Sequence, residues 1–442
     1  MENYISFKLT YNNQGCADMD NTNQSAVASQ RFAVIVDPFS SGALLAAEFK
    51  KRGLECIALI SQKTIPAVFA GSYRRDDFFM EIRFDGDAKK IARALGRLNI
   101  QAVVSCLETS VALADRVADL LDVPGNNVFT SDRRRDKFAM GEAVRAAGLR
   151  APLQKMSASA DEILRWVEEH KVFPVVVKPV NSAGSDSVTI CNNLDEVKYA
   201  CSLILGKLNK FEQENAFALV QEFLDGPEYV VDTVTLDGQT VTCNVFVYDK
   251  VAANNVAFVY RAIRALELDD PVAKKLIAYN DKVLKALDIH QGAGHSEIII
   301  SNGEPVLVEV GARMHGGNIP AVVQKCAKWS QIELLVDSYV DRASFYRRAN
   351  EPLQLDKKIL IHFYISGEGG ELKAIRGQTV VENMPSYFDA FWYVKPGEAI
   401  AETVDLYTCP LKVILTHDDV QQIEKDKELL LKLEEEKLMF EV

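Results

Sequence analysis

The chain has 442 residues, of which 48% are apolar, 25% charged and 9% aromatic, the balance of a globular protein long enough for two to four domains. A formal net charge of −12 argues against nucleic acid as the main partner, because a phosphate backbone needs a basic footprint; a small anion held by local lysines and amides remains open. No run approaches the roughly eighteen apolar residues of a membrane span, and the N-terminus lacks a basic segment followed by an apolar one, so a cytoplasmic chain free of the membrane is expected.

Residues 1–30, rich in Asn, Gln and Ser over 11–30, read as a loose leader. From 31 to 135 strands and helices alternate. The buried runs 32-FAVIV-36, 54-LECIALI-60 and 101-QAVVSC-106 are separated by helical patterns over 43–52, 87–99 and 109–121, with Gly53 as a C-cap. That is a βαβ series and predicts a parallel sheet. Residues 136–330, with halves split near 220, change character to α+β. A helix over 136–148 precedes the strand 174-PVVVKPV-180, the small-residue loop 181-NSAGSDS-187 and the strand 188–191. A helix near 194–209, the strand 218-ALVQEFL-224 and a meander through Asp237-Gly238 follow, and a helix over 271–287 leads to 295-HSEIIIS-301 and 304-EPVLV-308. The stretch 244–262 falls into no single pattern. Residues 331–442 form a third, α+β unit with a strand at 358–366 and a charged terminal helix at 418–439. The eight cysteines are scattered without a C-x-x-C and read as small buried hydrophobes in a reducing compartment.

Chemistry concentrates at 309-EVGARMHGGN-318, directly after an aliphatic strand. Glu297 and Glu309 lie on two strands joined by Asn302-Gly303. A two-residue turn sends their side chains to opposite faces, whereas a three-residue loop pairs 297 with 309 and leaves Ile298, Ile300, Val306, Val308 and Val310 on one aliphatic face. The second register is expected. Facing carboxylates repel unless a cation lies between them, and Mg²⁺ is the natural filler. Lys178 ends an apolar strand, where an anion beside it would relieve its burial, and the 181–187 loop offers amides and hydroxyls to a phosphate. No G-x-x-x-x-G-K-[ST] occurs, which excludes a P-loop.

The ordered set of DK (136–137), VVVKP (175–179), the small-residue loop, QEFL (221–224), GPEYVVD (226–232), HSE (295–297) and EVGARMHGGN (309–318) resembles the ATP-grasp superfamily over about residues 31–330. Within it, the set is most similar to carboxylate–amine ligases of the L-amino-acid ligase type, which make dipeptides and peptide antibiotics. The resemblance implies a multidomain α/β and α+β chain with an N-terminal parallel-sheet domain before the ATP-grasp domain and an α+β domain after it. It implies ATP and Mg²⁺, two ions with Mn²⁺ as a substitute, small-molecule carboxylate and amino-acid substrates, and a homodimer.

Carried over position by position, Lys137 and Lys178 grip the phosphates, and the loop with Ser182, Gly184 and Ser185 closes over the γ-phosphate. Gln221, Glu222, Phe223 and Leu224 line the adenine pocket, with Glu222 accepting from the exocyclic amine and Glu228 taking the ribose hydroxyls. Glu297 and Glu309 bind metal, Glu309 bridging two ions. Arg313 steadies the transferred phosphoryl group and the acyl oxygen, and His295 faces the acyl phosphate or the amine. On the substrate side stand Glu108, beyond a strand's carboxyl end, and a wall of His315, Gly316, Gly317 and Asn318. One departure is plain: many ATP-grasp enzymes end their metal motif Glu-x-Asn, and here the third position is Gly311, leaving Asn318 as a substitute ligand. The implied activity is ADP-forming amide synthesis through an acyl phosphate. Its rivals are a relative acting on a non-amino carboxylate, as biotin carboxylase and purine-pathway enzymes do, and a non-catalytic ATP-binding regulator.

Overall fold

The computed structural model describes residues 29–182, 186–209, 213–351 and 353–442. The expected leader, apart from its last two positions, lies outside the described residues. Strands β1 (Arg31–Val36), β2 (Leu54–Ile60), β3 (Met80–Arg83) and β4 (Asn99–Ser105) form a parallel sheet in the order β3-β2-β1-β4. The helix Leu45–Lys51 packs on one face, and the helices Ala88–Leu95 and Val111–Leu121 pack on the other. With both faces covered, the central strands read as unbroken apolar runs rather than alternating ones. Glu108 follows β4 on a short 3₁₀ turn, beyond the strand's carboxyl end.

A second sheet is antiparallel and has four strands. It comprises β5 (Gln154–Ser157), β6 (Val175–Pro179), β7 (Thr189–Cys191) and β8 (Ala218–Glu222), in the order β5-β8-β6-β7. The helices Ala160–His170 and Leu194–Ile204 cover its back. The third sheet begins β13-β12-β9-β10-β11-β14 and consists of eight antiparallel strands. Its members are β9 (Glu228–Leu236), β10 (Gln239–Ala253), β11 (Val256–Leu266), β12 (Gln291–Ser301), β13 (Glu304–Gly311) and β14 (Lys358–Phe363). The strands Leu411–His417 and Tyr387–Trp392 complete it, so segments after residue 331 extend the sheet that carries the candidate acids. They also close a core of their own around Leu372, Leu411 and Leu430.

Residues 244–262 prove to be the turn of a long hairpin between β10 and β11, reversing at Asn254-Asn255. The turn between β12 and β13 differs from the expected loop. Ser301 pairs with Glu304 across two residues, Asn302 and Gly303, with φ of 54° and 79°, the double positive φ of a type I′ turn. Glu297 still stands opposite Glu309, because a bulge between Glu297 and Ile298 leaves Val308 without a partner. The extra residue that the turn omits is inserted in the strand instead. It also changes the faces: Ile298, Leu307 and Val310 pack against the helices Lys137–Ala146 and Pro271–Ala286, while Val308 lines the candidate cavity.

The seven cysteines among the described residues are all buried and free. Among the described residues, no helix is long and apolar enough to cross a membrane.

Arg134 joins the first sheet's helices to the rest. It is fully buried, with Nη2 2.8 Å from Asp115 Oδ2 and Nη1 donating to Leu287 O and Asp288 O at 3.1 and 3.2 Å. Removing a buried partner strands the opposite charge. Arg134→Met is therefore expected to lower unfolding free energy by about 3–5 kcal/mol in urea titrations; a loss below about 1 kcal/mol would refute its role as a joint.

Candidate active site

A partly open cavity of about 810 Å³ lies between the second sheet and the third. Side chains two residues apart share a face of a strand, and the registers of β10, β9 and β12 align them into three rows. Glu228 stands between Tyr248 and Ile299, Val230 between Phe246 and Glu297, and Asp232 between Asn244 and His295. Glu309 on β13 extends the middle row. Lys137, first residue of its helix, and Lys178, near the end of β6, face this sheet from the other wall.

The charges are tightly compensated. Lys137 Nζ lies 2.5 Å from Glu309 Oε2 and donates to Ser182 O at 2.6 Å. Lys250 Nζ reaches both oxygens of Glu228 at 2.7 and 2.8 Å and sits 4.5 Å over the Tyr260 ring. Burial raises the pKa of Glu228, with Lys250 opposing the shift and Glu297 adding to it. Burial also opposes ionisation of Glu297, yet the neighbouring His295, with Lys250 and Lys137, brings its pKa down to about 2. For His295 burial works against the charge, and the Asp232 hydrogen bond outweighs it and lifts the pKa to about 9. Lys178 is 7% exposed, and burial, reinforced by the like charge of Lys137, drops its pKa to about 8.

Arg313 Nη2 pairs with Glu108 Oε1 at 2.8 Å, and Nη1 donates to Met314 O. Burial disfavours the guanidinium charge, but Glu108, Glu309 and Glu297 together raise its pKa. This pair explains Gly311: a Cβ there would fall 2.3 Å from Glu108 Oε1 and 3.3 Å from Arg313. The position where an asparagine ligand was missed is filled by the ion pair.

Other expected residues are placed differently. Gln221, Glu222, Phe223 and Leu224 do line the cavity, but the Glu222 carboxylate is turned onto Arg150 Nη2 and the Leu153 amide, at 2.8 and 3.2 Å. Both partners lie just before β5, where β8 runs past it. An incoming amine would meet an engaged carboxylate. Ser182 Oγ donates to Asp186 at 2.7 Å, while Gly184 and Ser185 lie outside the described residues.

The expected wall of His315, Gly316, Gly317 and Asn318 does not line the cavity. His315 is 4% exposed, its Nδ1 on Asp232 and its Nε2 on Tyr248. The Gly317 amide donates to Ser40, its carbonyl accepts from Lys412, and the Asn318 amide donates to Ser41. These backbone bonds tie the loop to the first sheet's turn and to the strand Leu411–His417. Sequence reasoning missed Asp232, Tyr248, Lys250 and Tyr260. The period-two spacing of Phe246, Tyr248 and Lys250 and the second acid in EYVVDTVTL were the available signals.

Two opposed carboxylates with lysines beside them offer oxygen donors and positive charge on one surface, which fits a divalent hard cation carrying a polyphosphate. Site and architecture define an ATP-grasp phosphoryl-transfer fold. Comparison with known proteins agrees. Residues 171–321 match the family model of the ATP-grasp domain. The chain is 29% identical to dapdiamide A synthase of Enterobacter agglomerans, over 89% of this chain and 94% of that one. It is 25% identical to an L-arginine-specific L-amino acid ligase of Bacillus subtilis, over 50% and 54%. The crystal structure of an L-amino acid ligase from Bacillus licheniformis superposes with a TM-score of 0.73 at 17% identity, covering 92% of this chain and 98% of that one. The chain carries an ATP-grasp domain over residues 171–321, in a fold shared with the L-amino acid ligase.

Lys178 makes the electrostatics testable. Its folded pKa near 8 lies below the ordinary lysine value of 10.5, so the charged form is penalised at every pH below about 8, and the penalty fades as pH rises towards 10.5. Relative to wild type, Lys178→Met should gain about 3 kcal/mol near pH 7 and lose that advantage by pH 10. Urea titrations at both pH values measure it, and a pH-independent difference would contradict the burial account.

Proposed function

We propose that the chain is an ATP-dependent carboxylate–amine ligase, forming an amide between a small carboxylate and an L-amino acid through an acyl phosphate and releasing ADP and phosphate. The observation that carries this reading is the opposition of Glu297 and Glu309 on one cavity face, with Lys137 and Lys178 across from them and Arg313 held nearby by Glu108. The names of the related proteins, a dapdiamide synthase and an amino-acid ligase, are those of amide-forming enzymes, and a place in peptide-antibiotic synthesis is part of the reading.

A carboxylate is a poor electrophile, so it must be activated before an amine can attack. Lys137 and Lys178 hold the polyphosphate, and Gln221 through Leu224 and Glu228 border the base and ribose end. Glu297 and Glu309 would hold Mg²⁺, two ions in this reading, which when bound would supply neutralisation of phosphate charge. Arg313 stabilises charge on the moving phosphoryl group and on the acyl oxygen. Glu108, the partner of Arg313, takes a substrate ammonium group in this reading. Protecting the acyl phosphate from water requires the cavity to close further over it. A homodimer in the cytoplasm completes the reading, and light scattering measures the oligomer.

The test is an ADP-release screen across pairs of L-amino acids, with bicarbonate, formate and acyl-amino acids as controls. Turnover with at least one amino-acid pair is expected. ADP release only with a control acid would move the chain to the non-amino branch, and none with any acid would favour the regulatory alternative. With a responsive pair, Glu309→Gln and Arg313→Ala are each expected to cut turnover by about 10²- to 10³-fold.

A further inference from the structure

The row next to Glu297 holds a buried network that the proposed chemistry leaves without a task. Asp232 is 1% exposed and meets three nitrogens: His295 Nδ1 at 2.8 Å, His315 Nδ1 at 2.7 Å and Asn244 Nδ2 at 2.5 Å. The two imidazole centroids are 4.3 Å apart. Ligand atoms of Asp232, His295 and His315 all fall within 4.8 Å of one another, close enough for a metal ion. The hydrogen bonding points elsewhere. An ionised carboxylate only accepts, so each Nδ1 facing it carries a proton and has no lone pair to offer a cation.

Fixing both protons on Nδ1 determines what the opposite nitrogens do. His295 Nε2 lies 3.6 Å from Glu297 Oε1. His315 Nε2 lies 3.1 Å from the Tyr248 hydroxyl, and Tyr248 lines the cavity. Neutral His315 with its proton on Nδ1 can only accept at Nε2, so the Tyr248 hydroxyl donates to it and turns its lone pairs to the cavity. Phe246 packs edge-on against His315 at 5.6 Å, and Tyr260 against Tyr248 at 5.2 Å. The rings are held by packing as well as by hydrogen bonds.

We infer that Asp232 is a positioning residue: by accepting from Nδ1 of His315 it fixes that ring's Nδ1–H tautomer and orients the Tyr248 hydroxyl at the cavity wall, and by accepting from Nδ1 of His295 it holds that ring against Glu297. His315 thereby acts through Tyr248 and not as a wall of the substrate subsite. Carboxylates behind histidines have this effect elsewhere, fixing ring orientation and tautomer. The kinetic arm of the test rests on the ligase reading, and the spectroscopic arm does not.

The experiment records long-range ¹H–¹⁵N spectra of the full chain labelled at histidine, with signals assigned through His295→Gln and His315→Gln. In wild type, His315 is expected as the neutral Nδ1–H tautomer and His295 with a proton on Nδ1. Asp232→Asn presents an amide N–H to one of the rings and is expected to move that ring's proton to Nε2. Turnover with the responsive amino-acid pair should then fall about 10- to 100-fold while the KM for ATP changes less than about threefold. An Nε2–H tautomer at His315 in wild type overturns the inference, and so does an Asp232→Asn chain with both tautomers and turnover unchanged. Stoichiometric zinc in the purified chain overturns it as well. If Asp232→Asn does not fold, the wild-type spectrum decides alone. If no amino-acid pair releases ADP, the ligase reading fails while the tautomer result stands.

Discussion

Two carboxylates placed opposite each other across an antiparallel hairpin repel, and a strand pair would not keep such a row without positive charge to offset it. Here the offset comes from one residue outside the hairpin and one on its first strand. Lys137 sits 2.5 Å from Glu309, and His295 sits 3.6 Å from Glu297. The row persists because the other side of the hairpin is an apolar core, where Ile298, Leu307 and Val310 pack against two helices. A one-residue slip would bury an acid there and expose an isoleucine. The bulge at Val308 lets a tight turn, a continuous core and a paired set of acids coexist. The geometry of the cavity floor follows from that insertion.

The lysines facing this floor differ in their partners. Lys137 and Lys250 each have a carboxylate within ion-pair distance. Lys178 has none among the described residues, and only the more distant fields of Glu309, Glu297 and Glu228 support its charge. A buried ammonium in that position is the weak point of the charge balance. An anion beside it removes the penalty that burial imposes, which is why the same residue marks both a cost in stability and a place for phosphate.

Much of this was legible in the sequence because the signals were local. Continuous apolar runs between helical patterns gave the parallel sheet, and the order of short motifs brought out Lys137, Lys178, Glu228, Glu297 and Glu309 but not Lys250. The opposition of Glu297 and Glu309 was anticipated with the wrong device, since an Asn-Gly turn says nothing of a bulge five residues on. Where the reading failed, a distant partner decided the outcome. The Glu222 carboxylate is taken by Arg150, 72 positions away, and His315 is held by Asp232, 83 positions away. The hairpin over 244–262 stayed unassigned because β10 alternates at its middle while its far end, lining the cavity, mixes aromatic, acidic and basic side chains.

The three rows also differ in chemistry along the strands. Successive rows are separated by two residues, roughly 6.7 Å, so the span from Asp232 to Glu228 is about 13 Å. One end is closed, with Asp232 and two imidazoles satisfied among themselves. The middle carries paired acids facing lysines. The far end holds Glu228 and Lys250 against aromatic rings, next to the Gln221–Leu224 segment of the other wall. Charge is therefore graded from a buried polar network, through opposed acids with lysines beside them, to a surface of aromatic rings beside the Glu228–Lys250 pair. That order matches a ligand with a polyanionic end and a hydroxylated, aromatic end, and it sets the phosphate end, where bond making occurs, against the most firmly held part of the sheet.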